Sequence, residues 1–193
     1  MDNGFKLFFD TETTGILLKG VPLSDPRQPK LLQFGAILDD GFRNTVEHIS
    51  MYIYPYWDGE VPPEATQVHG ITRDWCIERG IRVAYSSVHI VNLIQMARNG
   101  LVAHNFHFDK AVLQKFFTDN FQISEPLIEG SCTMLASTSY CAIPGKYGHK
   151  WPTLEELHRH LFNEDFEDAH DALNDVKATR RCYYELVDRG VIK

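Results

Sequence analysis

The 193-residue chain is long enough for one compact domain over residues 1–193 and needs no disulfide or zinc ion to complete its core. Hydrophobic residues make up 44% of the chain and charged residues 23%, which argues against an intrinsically disordered protein. Its net charge is −7, from 19 Lys and Arg against 26 Asp and Glu, and this acidity argues against a protein that grips nucleic acid through a broad basic surface.

The first half of the chain predicts strands followed by helices. Apolar and alternating segments predict three strands, at Phe5–Phe9, Leu31–Leu38 and Thr45–Tyr54. A proline-containing loop is expected from Pro55 to His69. Thr72 is expected to cap a short helix that ends near Gly80, and a longer helix is expected to start at Ser86 or Ser87.

The second half alternates short strands with helices. Leu101–Ala103 predicts a short strand, and a helix is indicated by the apolar spacing of Phe108, Val112, Leu113 and Phe116. Thr153 and Glu156 fit a capping box at the start of the next helix, and the last helix is expected from about Asp171 to Asp188. This order of elements indicates a layered α/β domain.

Cysteine usage and hydropathy favour a soluble protein of a reducing compartment. The cysteines form no C-x-x-C pair and predict reduced, mostly buried thiols at Cys76, Cys132, Cys141 and Cys182. The chain begins without a basic secretory signal, and no apolar run approaches the ~18 residues of a membrane span. We therefore expect a cytoplasmic protein with no membrane partner, in the host cytoplasm if a phage encodes it.

Two acids, Asp10 and Glu12, follow the first predicted strand directly. Residues two apart in an extended chain point to the same face, so their carboxylates are expected to lie side by side. A raised pKa or a bound cation relieves the repulsion, and Mg²⁺ prefers carboxylate oxygens. For this pair alone, incidental acids at a solvated strand end are the simpler interpretation, so the assignment depends on the motifs around it.

Three motifs, in order, resemble those of the DnaQ-like 3′→5′ exonucleases, whose DEDDh group carries four acids and a histidine. They are Phe8-Phe9-Asp10-Thr11-Glu12-Thr13-Thr14-Gly15, Ala103-His104-Asn105-Phe106-His107-Phe108-Asp109 and His170-Asp171-Ala172-Leu173-Asn174-Asp175. Leu32–Ala36 and Pro63–Thr72 are similar to intervening segments of that family, and the similarity covers about Phe5–Leu186. The resemblance implies a ribonuclease H-like α/β fold, with a mixed central sheet flanked by helices in a single domain. Within the family, the chain is most similar to the exonuclease X and proofreading branches.

The resemblance also implies a catalytic site that holds two Mg²⁺ ions, for which Mn²⁺ can substitute. The implied metal ligands are Asp10, Glu12, Asp109 and Asp175, and all four count as catalytic residues with His170. His170 is the implied general base, because imidazole titrates near neutral pH. Residues five apart on a helix differ by about 140° around its axis. We therefore expect His170 on the loop before the last helix, with Asp171 near its N-cap.

Substrate-binding roles follow from the same resemblance for Thr11, Thr13, His69, Asn105 and Phe108. Phe108 suits base stacking and core packing equally, whereas His104 is expected to hold the turn of its motif. His158 and His160 are expected on the surface, because residues two apart on a helix face differently. Core packing is expected for the helical segment Gln114–Phe117.

Residues 144–151 combine two lysines with aromatic and imidazole rings and contain no acid. Such a loop can bind a single strand by stacking and phosphate contact. The alternative is that Trp151 packs into the core before the Thr153 cap. The two interpretations carry equal weight at this stage.

The implied activity is metal-dependent removal of 5′-mononucleotides from a 3′ end, with single-stranded DNA as the preferred substrate and a DNA polymerase as an open partner. The alternatives are an exoribonuclease of the same fold and a catalytically idle nucleic-acid-binding or polymerase-associated module. All five catalytic positions are filled, which argues against the idle module. Without the four metal-site acids the net charge is −3, so the acidity is compatible with a nucleic-acid substrate held at its end.

Overall fold

A computed structural model describes residues 4–123, 129–166 and 170–193, and a mixed five-stranded sheet forms its centre. The strands are β1 (Lys6–Thr13), β2 (Leu31–Asp39), β3 (Thr45–Tyr52), β4 (Leu101–Ala103) and β5 (Ser131–Cys132). Their spatial order is β3-β2-β1-β4-β5, with β2 antiparallel to both β1 and β3 and β4 parallel to both β1 and β5. The predicted mixed sheet is thus confirmed.

Seven helices accompany the sheet within the described ranges. They are α1 (Pro63–His69), α2 (Arg73–Arg79), α3 (Val83–Met96), α4 (Phe106–Phe121), α5 (Thr133–Cys141), α6 (Leu154–Phe162) and α7 (Ala172–Asp188). A small separate hairpin consists of β6 (Pro144–Gly145) and β7 (Gly148–His149).

Strand β1 is buried on both faces because its side chains alternate between two cores. Leu7 and Phe9 belong to the larger core, which also contains residues of α3 and α4. Phe8 packs on the other face against α7, with its ring centroid 5.4 Å from that of Tyr183. The same alternation continues along the strand. Thr11 therefore points toward α4, and Asp10 points toward α7, as Phe8 does.

The N-terminus of α7 lies directly against β2. Gly35, which pairs with Asp10 across the β1–β2 ladder, faces the backbone of Ala172. A Cβ atom at Gly35 would lie 2.5 Å from the Ala172 carbonyl carbon, closer than real side-chain contacts allow. This glycine therefore permits the first turn of α7 to approach the end of β1 that carries the acids.

The predicted helix starts at three caps are confirmed. The Thr72 side chain accepts a hydrogen bond from the Trp75 backbone N–H at the start of α2. Thr153 and Glu156 form a reciprocal capping box on α6, and Asp171 caps α7. These side chains satisfy backbone donors that have no partner within their own helices.

Two predicted boundaries are wrong. The expected loop Pro55–His69 ends in helix α1, which begins with Pro63, because proline is favoured in the first turn where no N–H donor is needed. Helix α3 begins at Val83 rather than at Ser86 or Ser87. The two serine hydroxyls lie inside the helix and donate to the carbonyl oxygens of Val83 and Ala84.

The prediction that His158 lies on the surface is also wrong, since its side chain is 2% exposed. Its Nε2 atom lies 3.2 Å from the Arg181 guanidinium and its Nδ1 atom 3.0 Å from the Glu164 carbonyl oxygen. These two partners allow a histidine in the core with both ring nitrogens bonded. His160 is exposed as predicted.

Other expectations about the core are confirmed. Phe116 and Phe117 are buried, so the segment Gln114–Phe117 serves packing. All four cysteines are free thiols; three are buried, and Cys132 is half-buried. No helix among the described residues has both the length and the apolar character needed to cross a membrane.

Candidate active site

Four carboxylates from three elements converge where β1 ends. Asp10 and Glu12 are on β1, Asp109 lies in the first turn of α4, and Asp175 lies in the first turn of α7. Asp109 is 2% exposed and Glu12 is 9% exposed. The charges of Glu12, Asp109 and Asp175 all act on Asp10, which is therefore the shared neighbour of the group. The structure thus brings together the four acids that the motifs predicted as ligands.

The surroundings raise the pKa of every one of these acids. Burial is the largest cause in each case, and neighbouring carboxylates add to it. The pKa rises to about 8 for Glu12, about 7 for Asp109 and about 6 for Asp175, and that of Asp10 lies well above its usual range. Burial and mutual repulsion destabilise the charged form of these carboxylates, so they are well suited to a hard divalent cation, which neutralises them.

His170 lies beside these acids, immediately before the Asp171 cap, as the motif spacing predicted. It is exposed and has a left-handed backbone with φ 72°. Its backbone N–H faces the two Asp175 carboxylate oxygens at 3.4 and 3.2 Å. Glu12, His170 and Asp175 each offer one ligand atom, and these atoms lie within 4.8 Å of one another. The His170 imidazole is therefore within reach of the acidic cluster from its rim.

Thr11 supports Asp109 on the α4 side of β1. Its Oγ1 hydroxyl donates to Asp109 Oδ1 at 2.8 Å, and both side chains are buried. This hydrogen bond lowers the pKa of Asp109 and so counteracts part of the effect of burial. The Thr13 hydroxyl instead donates to the Gly15 carbonyl oxygen at 2.6 Å, which orders the chain after β1.

Gln33 has a role in the site that the sequence reasoning did not identify. It lies opposite Glu12 in the β1–β2 ladder and donates from Nε2 to Asp171 Oδ2 at 2.9 Å. Its side chain is 1% exposed. The sequence does contain a signal for this role. It is a glutamine within an otherwise apolar predicted strand, two positions before Gly35, the glycine that α7 approaches. Recognising it required the register between β1 and β2.

A cleft of about 490 Å³ opens beside Glu12. It is lined by the segment Thr11–Ile16 and by α1 residues, and Phe108 forms another part of its wall. Phe108 also packs against the larger core, so its packing role is confirmed, whereas base stacking stays a prediction. Asn105 is exposed at the N-cap of α4, where its side chain makes no capping hydrogen bond.

His69 lines the same cleft, but both of its ring nitrogens have backbone partners. The Ile71 N–H donates to Nδ1 at 3.0 Å, and Nε2 lies 3.1 Å from the Thr13 carbonyl oxygen. Because a carbonyl only accepts, this arrangement fits a neutral ring that carries its proton on Nε2. Burial, the largest cause, lowers the pKa of His69 and favours that neutral form. A substrate contact by His69 would compete with these bonds.

His104 holds the turn of its motif, as predicted. Its Nδ1 atom lies 2.9 Å from the Thr133 hydroxyl, and its Nε2 atom lies 3.0 Å from the Pro152 carbonyl oxygen. Burial lowers the pKa of this ring to about 4, so it stays neutral. These bonds connect the start of α4 to the segment that precedes α6.

Comparison with known proteins gives one family and a set of related folds. The RNase_T family model, described as exonuclease, matches residues 7–183. E. coli exonuclease I in complex with a dT13 oligonucleotide is 24% identical, with a TM-score of 0.71 over 95% of this chain and 41% of that chain. The zinc-bound E. coli exonuclease I complex with single-stranded DNA is 22% identical, with a TM-score of 0.73 over 96% of this chain and 41% of that chain.

A moderately thermophilic exonuclease I from Methylocaldum szegediense is 24% identical, with a TM-score of 0.70 over 96% of this chain and 40% of that chain. This chain therefore spans about two fifths of the length of these exonucleases. At such identities the likeness is one of fold. A comparison with curated protein sequences gave no match.

Proposed function

We propose, from the premise that the chain belongs to the RNase_T exonuclease family, that it removes 5′-mononucleotides from the 3′ end of a single-stranded nucleic acid. The observation that carries this proposal is the convergence of Asp10, Glu12, Asp109 and Asp175 beside an open cleft, with His170 at the rim. Hydrolysis at phosphorus requires charge stabilisation and proton removal at one place, and this arrangement provides groups for both.

The four acids would hold the divalent cations, Mg²⁺ or Mn²⁺, and two ions are our proposal for their number. When bound, such cations supply electrostatic stabilisation of the phosphoryl oxygens and lower the pKa of a coordinated water. The chain's own contribution is to keep the acids together. Thr11 orients Asp109, and the Asp171 cap and Gln33 fix the first turn of α7 with Asp175.

His170 is our candidate for the general base that accepts a proton from the attacking water. Its exposure at the rim lets the ring exchange that proton with solvent, and imidazole is the side chain that most often acts as a general base. Its left-handed backbone costs about 1–2 kcal/mol for a residue other than glycine. That conformation coincides with the bonds from its N–H to Asp175 and keeps the ring beside the acids.

The cleft beside Glu12 would receive the terminal nucleotide. Phe108 offers a ring to the base or sugar, and Thr11 and Thr13, which line the cleft, are our candidates for contacts with the terminal nucleotide. Asn105, exposed where α4 begins, is our candidate for orienting the strand. These substrate roles are proposals, as is that of His69, which would have to exchange a backbone partner for the substrate.

Single-stranded DNA is the proposed polymer. The support is the resemblance of the motifs to the exonuclease X and proofreading branches, together with a fold shared with exonuclease I structures that hold DNA oligonucleotides. A DNA polymerase as partner stays a prediction of that resemblance alone.

Digestion of matched 20-nucleotide DNA, RNA and recessed 3′ duplex substrates tests the proposal. With a 5′ label and Mg²⁺, DNA should give a ladder that shortens from the 3′ end, and a 3′ label should appear at once as a mononucleotide. EDTA and Asp10→Asn should each abolish the ladder, whereas Asp74→Asn on exposed α2 should not. Faster digestion of RNA would favour the exoribonuclease, and no digestion with Mg²⁺ or Mn²⁺ would favour the idle module.

A further inference from the structure

The 144–151 hairpin, which is not part of the lining of the cleft beside Glu12, presents two aromatic side chains to solvent. Tyr147 is 90% exposed and Trp151 is 64% exposed, so the expectation that Trp151 packs into the core is wrong. The hairpin contains β6 and β7, and the Lys150 N–H donates to the Ile143 carbonyl oxygen at 2.9 Å. The aromatic side chains are therefore carried by a hydrogen-bonded element.

This hairpin is basic although the whole chain is acidic. Lys146 Nζ lies 5.1 Å from the centroid of the Tyr147 ring, and no acidic residue occurs between positions 144 and 151. Lys150 Nζ donates to Glu156 at 2.5 Å, which leaves Lys146 as the hairpin lysine without an ion pair among the described residues. Exposed rings interleaved with cations match the faces of bases and the phosphates between them.

The base of the hairpin is fixed to the motif that carries Asp109. Pro152, next to Trp151, accepts a hydrogen bond from His104 Nε2 at 3.0 Å, because a carbonyl oxygen only accepts. His104 directly precedes Asn105, the N-cap of α4, whose first turn holds Asp109. On the other side, the Thr153 cap begins α6, and the charge of Glu155 in its first turn reaches Asp175. The hairpin is thus followed directly by residues that contact the motif of Asp109 and that lie near Asp175.

We propose that the 144–151 hairpin binds the part of a single-stranded nucleic acid that lies upstream of the 3′ end, with Trp151 and Tyr147 stacking on bases and Lys146 contacting a phosphate. The inference rests on the proposed exonuclease function for the position of the 3′ end. Stacking accepts every base, so this surface would add affinity without sequence preference. The hairpin also gives this acidic chain a local basic site for a nucleic-acid strand.

Variants in the hairpin and matched controls test this role. Trp151→Ala and Tyr147→Ala are compared with Phe42→Ala and Tyr85→Ala, which remove side chains that are 87% and 73% exposed elsewhere. Lys146→Gln is compared with Arg98→Gln, an exposed cation outside the hairpin. Binding is measured with Mg²⁺ in an Asp10→Asn background by the fluorescence anisotropy of a 5′-labelled (dT)20 strand.

Each hairpin aromatic-to-alanine change should weaken binding of (dT)20 roughly tenfold, within the range for loss of one stacked base. Trp151→Phe should restore most of the affinity. Lys146→Gln should reduce the slope of log K against log salt by about 1, the value for one lost phosphate contact. The three controls should bind like the parent protein.

A single-nucleotide substrate separates this inference from the proposed function. The p-nitrophenyl ester of thymidine 5′-monophosphate occupies only the terminal site, so the hairpin variants should hydrolyse it with unchanged kcat and KM. On oligonucleotides they should show a raised KM with little change in kcat. The hairpin role would be overturned if oligonucleotide affinity and KM changed no more in the hairpin variants than in the controls. That result is expected if this surface binds a protein partner instead. Failure of the parent protein to hydrolyse either substrate would instead contradict the proposed function, while the anisotropy still decides the hairpin role.

Discussion

Gln33 and Asp171 are joined by a hydrogen bond of 2.9 Å from Nε2 to Oδ2, although 138 positions separate them in the chain. The same Gln33 side chain accepts from the Ala172 N–H through Oε1 at 3.3 Å and donates to the Ser50 hydroxyl at 3.0 Å. Since Gln33 also lies opposite Glu12 in the sheet, one buried amide joins the strand that carries two of the acids to the helix that carries another. The relative position of Glu12 and Asp175 therefore depends on it.

We expect Gln33→Met to lower kcat on the order of tenfold with little change in KM. Methionine keeps the volume but removes both bonds to the start of α7, so Asp175 and His170 lose their fixed position. The free energy of unfolding should fall by about 1–3 kcal/mol, because Asp171 and the Ala172 N–H lose a buried partner. Steady-state kinetics and chemical unfolding measure the two effects.

Gln28→Met provides the matched control for that variant. Gln28 is 3% exposed and bonds to Leu18 and Val21 in the loop after β1, away from α7. It should lose similar stability while kcat stays within about twofold of the parent, a change of under roughly 0.5 kcal/mol. Equal losses of kcat in both variants would assign Gln33 a purely structural role.

The sequence predicted the acids and missed the parts that hold them. Asp10, Glu12, Asp109 and Asp175 were identified through the resemblance of three ordered motifs to a known family, because strand parity alone would have left Asp10 and Glu12 as incidental acids. The bond from Gln33 to Asp171 and the seating of α7 on Gly35 depend on strand register and on a contact between distant segments, which one sequence does not encode locally.

The same limit explains the errors outside the site. His158 was predicted on the surface from its spacing to His160, yet Arg181 and the Glu164 carbonyl oxygen provide its partners in the core. Ser86 and Ser87 resemble helix caps in sequence, but their hydroxyls bond backward within α3. A partner from a distant segment, Arg181, thus overrides the surface prediction for His158, whereas the serines make a local bond inside the helix that competes with capping.

Gly35→Ala should lower activity by displacing the first turn of α7, whereas a glycine-to-alanine change on the surface should not. The new Cβ would lie 2.5–2.7 Å from backbone atoms of Ala172 and Leu173, which cannot move without shifting α7. We expect activity to fall about 100-fold, the order seen when reacting groups are misplaced by about 1 Å. Gly41→Ala is the control, because its nearest contact is 3.5 Å and its backbone is not left-handed. Normal activity in Gly35→Ala with an unchanged melting temperature would contradict the close approach.

Thr11→Val should raise the Mg²⁺ concentration needed for half-maximal activity. The change keeps the side-chain shape but removes the hydroxyl that donates to Asp109 at 2.8 Å. A hydrogen bond to a charged group is worth about 1.5–3 kcal/mol, so the pKa of Asp109 should rise by roughly one unit or more. The acid limb of the pH–activity profile should move upward accordingly. Thr138→Val, which removes a hydroxyl bond to the Met134 carbonyl oxygen within α5, should move neither quantity. An unchanged Mg²⁺ requirement in Thr11→Val would show that Thr11 does not tune this acid.

Without divalent cations, the protein should lose stability as the pH rises from 6.5 to 8.5. Glu12 and Asp109 have folded-state pKa values of about 8 and 7, above their ordinary values of 4.5 and 3.8. The folded chain therefore binds more protons than the unfolded chain in this window, and each extra proton costs about 1.4 kcal/mol per pH unit. His104, with its pKa lowered to about 4, acts in the opposite direction but below pH 6.5.

Mg²⁺ should remove most of that loss of stability. The rise in melting temperature caused by Mg²⁺ should therefore grow with pH, by about 2–4 °C for each kcal/mol of stability lost in EDTA. Differential scanning fluorimetry in EDTA and in Mg²⁺ across this window measures the rise. In an Asp10→Asn, Glu12→Gln double variant, these two amides cannot ionise, so the pH dependence in EDTA should become shallower, with the contribution of Asp109 remaining, and the Mg²⁺ effect should nearly vanish. A Mg²⁺ effect of equal size at every pH, or one preserved in the double variant, would mean that the cation acts away from these acids.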